Sequence, residues 1–264
     1  MKRSLILLMA LTLLSACKKD KEENPETTSS QDSIAQPEAM TFGSKMYREK
    51  SKLPGKEPVT YVSIDVPEAD NKDAVSDSIN NKIFHVVRSI VYFGEKPTNA
   101  KSYQELMDSF IGSYDNFKKQ YPDEDVPWEA KIKATIEYQT DSIINIKLNN
   151  YMFTGGAHGY EGNRSLLFDA KTGHSLTRKD IFKDEKGFTA LAEKKFREKF
   201  KIPAGKNINA TGLFFPNDKF ILPEAIFINK NGILLYYNAV EVGSFADGAK
   251  EIEIPYSEAK AFLK

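Results

Sequence analysis

The stretch KIKATIEYQTDSIINIKL, residues 131–148, decides the fold because its apolar residues recur at every second position on both sides of a short polar break. The alternating apolar residues are Ile132, Ala134, Ile136, Ile144, Ile146 and Leu148. A period of two is the pattern of a strand that buries one face. The polar break at 139–142 contains Asp and Ser, which favour a turn. The stretch therefore predicts an antiparallel hairpin with one buried face.

Two helices are predicted upstream of this hairpin, after a strand at 58–69. The first helix follows a cap at Asp70 or Asn71, and its apolar residues share one stripe by helical spacing. His85 falls on the opposite, polar face, where we expect it to face solvent rather than to bind a ligand. The second helix runs from about Ser102 to Gln120, and we interpret its aromatic stripe as core.

The last third of the chain predicts one more long helix and a second group of strands. A return strand at 164–168 precedes a helix that runs from near Thr177 to near Lys201. The Asn-Gly turn at 229–232 separates two strand segments, and a further strand and a short helix capped by Ser257 follow. This order predicts an α+β protein with a largely antiparallel sheet, helices packed on it and two consecutive subdomains.

The N-terminus has the pattern of an exported lipoprotein. Lys2 and Arg3 precede an apolar run at 5–14 that is too short to span a bilayer, and Leu14-Ser15-Ala16-Cys17 resembles a bacterial lipobox. We therefore interpret residues 1–16 as a lipoprotein signal peptide and Cys17 as the acylated, palmitate-bearing first residue of the mature chain. An ordinary signal peptide with a chance cysteine is the alternative. Because Cys17 is the only cysteine, a disulfide framework is excluded.

Residues 17–45 predict a disordered tether, because they combine charged residues, Ser, Thr and Pro without apolar periodicity. The start of the tether, CKKDKEE at 17–23, resembles the export signals of outer-membrane lipoproteins, although a plain charged spacer has the same composition. We expect an outer-membrane lipoprotein on the periplasmic or cell-surface face. With 37 basic and 37 acidic residues the chain is formally neutral, so no nucleic-acid partner is expected.

The stretch YMFTGGAHGYEGN, residues 151–163, places one of the three histidines between glycines, directly after a predicted strand. His158 and His174 lack the spacing of a zinc site, and Gly155-Gly156 lacks the rest of a phosphate loop. The chain also lacks the Gly-x-Ser-x-Gly elbow of a serine hydrolase. We therefore predict no catalytic residue, no metal ligand and no cofactor.

Two questions about individual residues stay open at this point. Glu241 and Asp247 could perform acid–base chemistry if they met across a cleft, but a solvated loop is the simpler interpretation. His158 can brace its own bend or bind a partner, and the aromatic residues around it suit either a sugar or protein surface or the closing of the core. These aromatic residues are Tyr151, Phe153 and Tyr160.

Three segments together resemble a known domain family. YMFTGGAHG at 151–159 is similar to the Tyr-x-x-Thr-Gly-Gly-Ala-His-Gly signature of the RsiV/PdaC-like extracytoplasmic domain family of unknown function. FDAKTGHSLTRKDIF at 168–182 and the segment from Phe227 to Leu263 resemble its later motifs. By this resemblance, 46–148 is expected to be a PdaC-like N-terminal domain and 149–264 an RsiV-like C-terminal domain.

The resemblance implies binding of lysozyme or of a cell-wall glycan by a protein that is not an enzyme, because the metal-binding motifs of a polysaccharide deacetylase are not seen. The loops at 151–163 and 238–249 are expected to form the contact surface. The expected ligand-binding residues are Tyr151, Thr154, Gly155, Gly156, His158, Tyr160, Tyr237, Glu241 and Phe245, with Glu161, Glu241 and Asp247 favouring a basic partner. A peptidoglycan hydrolase or deacetylase and a purely structural envelope component are the alternatives.

Overall fold

The computed structural model describes residues 40–54 and 58–264. The strands are β1 (Phe42–Lys50), β2 (Tyr61–Ala69), β3 (Glu129–Gln139), β4 (Ile143–Phe153), β5 (Tyr160–Asp169), β6 (Ala225–Ile228), β7 (Gly232–Tyr237) and β8 (Lys250–Pro255). The α-helices are α1 (Ala74–Arg88), α2 (Tyr103–Gln120), α3 (Arg178–Ile181), α4 (Glu185–Lys199) and α5 (Tyr256–Ala259). Two sheets with helices packed on them confirm the α+β class predicted from the sequence.

The first sheet has five strands in the order β1-β2-β3-β4-β5. Only the β2–β3 pair is parallel, and the connection between these two strands contains α1 and α2. A parallel pair needs such a crossover, whereas the antiparallel pairs β3–β4 and β4–β5 follow directly along the chain. The predicted hairpin at 131–148 is therefore the centre of this sheet, and its alternating apolar residues all lie in or against the first core.

The helix α1 begins later than the sequence predicted. Its N-cap is Asp73, whose carboxylate accepts a hydrogen bond of 2.7 Å from the backbone N–H of Ser76. Asp70 and Asn71, the predicted caps, instead accept hydrogen bonds from the hydroxyl of Thr41, which directly precedes β1. The helix α2 spans Tyr103–Gln120, close to the predicted range, and Ser102 is its N-cap. The buried faces of both helices cover the first sheet.

The second sheet, β6-β7-β8, is antiparallel and belongs to a second hydrophobic core that includes α4. The single helix predicted from Thr177 to Lys201 is divided into α3 and α4. Phe182 interrupts it because its backbone is extended and pairs with Leu263, while its side chain is buried. The short helix α5 follows Pro255, so Ser257 lies inside this helix and does not cap it.

The two cores are joined through a buried amide. Asn145 of β4 is fully buried, and its side-chain oxygen accepts a hydrogen bond of 2.8 Å from the backbone N–H of Ile228 in β6. Buried polar groups of this kind are normally paired, and this pair fixes β6 against the five-stranded sheet. The predicted domain boundary at 148/149 falls inside β4, so the chain passes from the first sheet to the second after β5.

The strand β1 was missed in the sequence because most of its side chains are exposed and polar. It begins at Phe42, inside the range that the sequence analysis assigned to the tether. An edge strand has one partner only, and charged residues are common on such edges, so an alternating apolar pattern is not required. The predictions for residues 1–16 and Cys17 lie outside the described residues. Within the described ranges, no helix is long and apolar enough to cross a membrane.

Candidate functional site

The motif loop at 154–159 joins two adjacent strands, β4 and β5. Gly155 and Gly156 have φ angles of 103° and 93°, which residues with a side chain rarely adopt. The two glycines therefore allow the chain to reverse direction between neighbouring strands. Thr154, the first residue of the loop, directly follows β4 and is partly buried.

The ring of Tyr151 packs against this loop at Gly159. It lies opposite Glu161 of β5 in the register of the sheet, and its ring packs so closely on Gly159 that a Cβ atom there would come within 2.5 Å of the ring. The ammonium group of Lys131, from the neighbouring strand β3, lies 5.5 Å from the centre of the Tyr151 ring. A side chain at position 159 would clash with the Tyr151 ring, so the packing of this ring requires a glycine at this position, the third glycine of the motif.

His158 joins the motif loop to the second predicted loop. Its ring stacks on the ring of Phe245, with a centroid distance of 4.0 Å and an interplanar angle of 15°. His158 Nδ1 also lies 3.2 Å from the backbone oxygen of Gly159. His158 is exposed, and Phe245 retains 46 % of its accessible surface. The loops at 151–163 and 238–249 therefore meet on one open surface through this pair.

The acidic residues of the second loop hold the loop itself in place. The Glu241 carboxylate accepts hydrogen bonds from the backbone N–H groups of Asn238 and Glu224, at 2.8 and 3.2 Å. Asp247 accepts from the backbone N–H and the hydroxyl of Ser244, at 2.9 and 2.6 Å, and these bonds lower the pKa of its carboxyl group. Both carboxylates thus fix the turns that present Phe245, and neither faces His158 in a hydrogen bond.

Tyr237 does not lie on the surface that the sequence analysis expected. It is fully buried in the second core, and its hydroxyl donates a hydrogen bond of 2.7 Å to the backbone oxygen of Ile221. Burial raises the pKa of this hydroxyl. The sequence placed it among the loop residues because it directly precedes the loop, but the pleat of β7 directs its ring inward. Tyr237 is therefore a core residue.

A turn of the second loop contains a strained residue. The backbone N–H of Glu241 bonds to the carbonyl of Asn238, which closes a four-residue turn around Ala239 and Val240. Val240 has a φ angle of 65° and is 52 % exposed. A positive φ is unusual for a β-branched residue, and such outliers concentrate at functional sites. No signal in the sequence marks this valine.

Beside the motif loop lies a cavity of about 570 Å³ that the sequence analysis did not predict. Its walls come from the edge strand β5, from α1, and from the segments 175–177, 224–225 and 238–241. Tyr160 and Glu241, both predicted site residues, are among its lining residues. The remaining lining residues include Lys82, Asn150, Asn163, Arg164, Ser165, Asn238 and Val240. These residues are far apart in the sequence, so only the folded chain shows the cavity.

In the described part of the chain, no group of three or more His, Cys, Asp or Glu residues is arranged to hold a metal ion. His85 is exposed on α1, as the sequence predicted. His158 is the histidine whose side chain contacts both the motif loop and the second loop.

Comparison with protein families gives two consecutive matches. Residues 54–161 match the family described as "Deacetylase PdaC", and residues 179–257 match the family described as "Protein of unknown function (DUF3298)". The first match covers β2, β3 and β4 of the five-stranded sheet together with α1 and α2, and the second covers α4 and the three-stranded sheet. A search of curated proteins gives no match.

Two solved structures have a similar fold. A DUF3298 family member from Bacteroides fragilis superposes with a TM-score of 0.65 at 21 % identity, covering 86 % of this chain and 94 % of the other. A DUF3298 family protein from Pseudomonas aeruginosa gives a TM-score of 0.62 at 19 % identity, covering 85 % and 94 %. At these identities the likeness establishes the fold alone. The chain therefore contains a segment that matches the PdaC family model, followed by a segment that matches the DUF3298 family model.

Proposed function

We propose that this protein is a lipid-anchored envelope protein that binds a ligand of the cell wall without transforming it, and that a lysozyme-type muramidase is the first ligand to test. The observation that supports this proposal is the exposed stack of His158 on Phe245, which brings together the two loops expected to form the contact surface. Partly exposed aromatic rings held by a rigid scaffold are typical anchors of a protein interface.

The surroundings of this pair favour binding over catalysis. The histidine of the motif contacts an aromatic ring and its neighbour's carbonyl, whereas a general base needs a partner that orients it toward a reacting group. The neighbouring carboxylates Glu241 and Asp247 are engaged by backbone N–H groups of their own loop. Glu161, which faces Asn149 across the strands, is exposed and gives this edge negative charge that a basic protein would complement.

Binding of lysozyme to the purified chain, measured by biolayer interferometry, tests the proposal. We expect a dissociation constant in the micromolar range or below, and we expect Phe245→Ala and His158→Ala each to weaken binding at least tenfold. Phe93→Ala is the matched control, because Phe93 is 47 % exposed and its ring also contacts another ring, that of Trp128 at 4.2 Å. Absence of binding by the wild type at tens of micromolar would exclude lysozyme as the ligand.

The alternative function, hydrolysis or deacetylation of peptidoglycan, makes a different prediction. It requires release of reducing sugars or acetate from purified peptidoglycan, with loss of that turnover in His158→Ala. We expect no turnover by the wild type, with or without added zinc. Measurable turnover that depends on His158 would contradict the proposed binding function and support the enzymatic alternative.

The lipid anchor is part of the proposal and rests on the sequence at 14–17. Metabolic labelling with a palmitate analogue should mark the wild-type chain and should fail to mark Cys17→Ser. Because Cys17 is the only cysteine, this variant removes no other thiol. A labelled Cys17→Ser protein would contradict the predicted lipidation site.

A further inference from the structure

The cavity beside β5 opens at a gap in the pairing of an edge strand. At one end of the gap, the backbone N–H of Asn163 donates to the side-chain oxygen of Asn238 at 2.6 Å, and the Asn163 carbonyl accepts from the same amide at 3.1 Å. At the other end, the Leu167 carbonyl accepts from the Leu176 N–H at 2.7 Å. Backbone groups of alternate residues point to the same edge of a strand, so those of Ser165 point into the gap between these bonds.

The width of this gap limits what can bind there. One residue between two paired positions is too short for a peptide to add a strand, because strand addition uses a row of main-chain hydrogen bonds. The cavity volume of about 570 Å³ lies within the range of about 300–1,000 Å³ that is typical of small-molecule sites. The geometry therefore favours a small ligand over an extended peptide.

A buried amide at the cavity wall lacks a hydrogen-bond partner. Asn150 of β4 is 2 % exposed, and its side-chain oxygen is the one fully buried side-chain nitrogen or oxygen atom without a partner in the described ranges. Asn150 lies opposite Gly162 of β5, and the ring of Tyr160 from the same strand lies beside that glycine, where a Cβ atom would come within 3.0 Å of the Tyr160 hydroxyl. Asn150 and Tyr160 therefore line the same part of the cavity. An unpaired buried carbonyl oxygen destabilises the fold, and a ligand that donates a hydrogen bond to it would recover the lost free energy.

The remaining walls indicate the chemistry of that ligand. Lys82 and Arg164 contribute two positive charges and Glu224 and Glu241 two negative ones, so the lining is balanced and does not select a charged ligand. The half-exposed ring of Tyr160 and the strained, exposed Val240 add apolar surface to these polar walls. Planar amides together with an aromatic ring suit a sugar, which offers hydroxyl groups at its rim and an apolar face.

We propose that this cavity binds an N-acetylated amino sugar, whose hydroxyl or amide N–H donates a hydrogen bond to the side-chain oxygen of Asn150. The assignment rests on the proposed function of cell-wall binding and names the sugar that the protein takes. The sugar site lies along β5 and α1, whereas the surface proposed for lysozyme is the His158–Phe245 pair, so the two sites can be tested separately.

Titration of the purified full chain with N-acetylglucosamine and its dimer, followed by heteronuclear NMR, tests this proposal. We expect shifts of the amides of Ser165, Asn163 and Asn238, and at least tenfold weaker binding by Asn150→Leu. Because leucine needs no partner at this buried position, the same variant should fold and be at least as stable as the wild type. Glucose, which lacks the acetamido group, should bind more weakly than N-acetylglucosamine.

Asn149→Leu is the matched control, because Asn149 is the neighbouring residue of β4 but faces the other side of the sheet, where it contacts Glu161 and Asn163. We expect this variant to bind the sugar as the wild type does. Wild-type protein that shows no shifts at millimolar sugar, or Asn150→Leu that binds as tightly as the wild type, would overturn the sugar site. Lysozyme binding by the same preparations distinguishes this failure from failure of the proposed function, because Asn150→Leu leaves the His158–Phe245 pair unchanged.

Discussion

Tyr237 and Phe245 are aromatic residues of the same short segment, but they occupy opposite environments. Tyr237 is fully buried and its ring lies 5.4 Å from that of Phe196 and 5.7 Å from that of Phe215. Phe245 is 46 % exposed and stacks on His158. The residue type and the position along the chain are therefore poor guides to role, whereas burial separates the residue that stabilises the core from the residue that is available to a ligand.

The turn between these two residues produces the difference. Tyr237 is the last residue of β7, where the pleat directs it into the second core. The turn closed by Asn238 and Glu241 then changes the direction of the chain, and the short helical turn at 245–247 holds Phe245 outward. A change in any of these three features tests the comparison, and the expected effects differ in size.

The largest expected effect comes from truncating the two aromatic side chains. Tyr237→Ala should lower the free energy of unfolding by about 3–5 kcal/mol, because it leaves a cavity among packed rings. Phe245→Ala should lower it by less than about 1 kcal/mol, because half of its ring is already in water. Urea denaturation followed by circular dichroism measures both. Equal losses of stability in the two variants would contradict the division into core and surface.

Removing only the hydroxyl of Tyr237 sharpens the same comparison. Tyr237→Phe should cost about 1 kcal/mol, because the hydrogen bond to the Ile221 carbonyl is lost while the ring remains. Burial raises the pKa of this hydroxyl above its ordinary value of 10.0. Above pH 10.0 the hydroxyl of Tyr237 is therefore still neutral in the folded chain but ionised in the unfolded chain. The contribution of this hydroxyl to stability is complete below pH 10.0 and declines as the pH rises above that value.

Unfolding measured between pH 8 and about pH 11 checks this prediction. Tyr237→Phe should lose less stability over that interval than the wild type. Tyr103→Phe is a useful second variant, because burial also raises the pKa of the hydroxyl of Tyr103, which packs against the first core. If Tyr237→Phe and the wild type lose stability in parallel, the Tyr237 hydroxyl is not protected in the folded state.

A substitution in the turn at 238–241 is not expected to lower the stability, in contrast to the substitutions of Tyr237. Val240→Gly should leave the stability unchanged or raise it by about 1 kcal/mol, because glycine adopts the positive φ of 65° without strain and this gain exceeds its entropic cost. If the valine is retained for ligand contact, the same variant should bind the amino sugar more weakly. Thermal unfolding and the sugar titration together decide between these roles, and a destabilised variant would show that Val240 contributes to packing.

The parts of the fold that were predicted correctly have strong local signals. The hairpin of β3 and β4, the stripes of α1 and α2 and the exposed position of His85 follow from periodicities of two and of 3.6 residues. The exposed edge strand β1 has no such signal. The helix predicted across Phe182 was wrong because a tertiary pairing with Leu263 outweighed its local helical pattern.

The candidate site was predictable only in part for a related reason. Glycines, a histidine and aromatics marked the motif loop, because the types of residue that build such a bend are visible in the sequence. The contact of His158 with Phe245 and the cavity around Asn150 arise where segments that are distant in the sequence meet. Asn150 resembles the adjacent Asn149 in every local respect, and only the face of the sheet on which each lies distinguishes them.

The smallest expected effect concerns the carboxylate that holds the turn carrying Phe245. Hydrogen bonds from Ser244 lower the pKa of Asp247 below its ordinary value of 3.8, so the charged form stabilises the folded loop. This contribution is present above pH 3.8 and is lost as the pH falls through the lower pKa of the folded state. Asp247→Asn should therefore loosen the loop at neutral pH and differ less from the wild type in acid.

Amide hydrogen exchange at Ser244 and Asp247 measures this loosening without requiring a change in global stability. Asp180→Asn is the matched control, since Asp180 accepts hydrogen bonds from Thr177 in the same way at the start of α3 but holds no part of the second loop. Faster exchange at 244–247 in Asp247→Asn alone, together with weaker lysozyme binding, would mean that Phe245 acts through its fixed outward position. Unchanged lysozyme binding despite a loosened loop would mean that the Phe245 ring binds without a fixed position. Phe245 and Tyr237 would then differ in exposure alone.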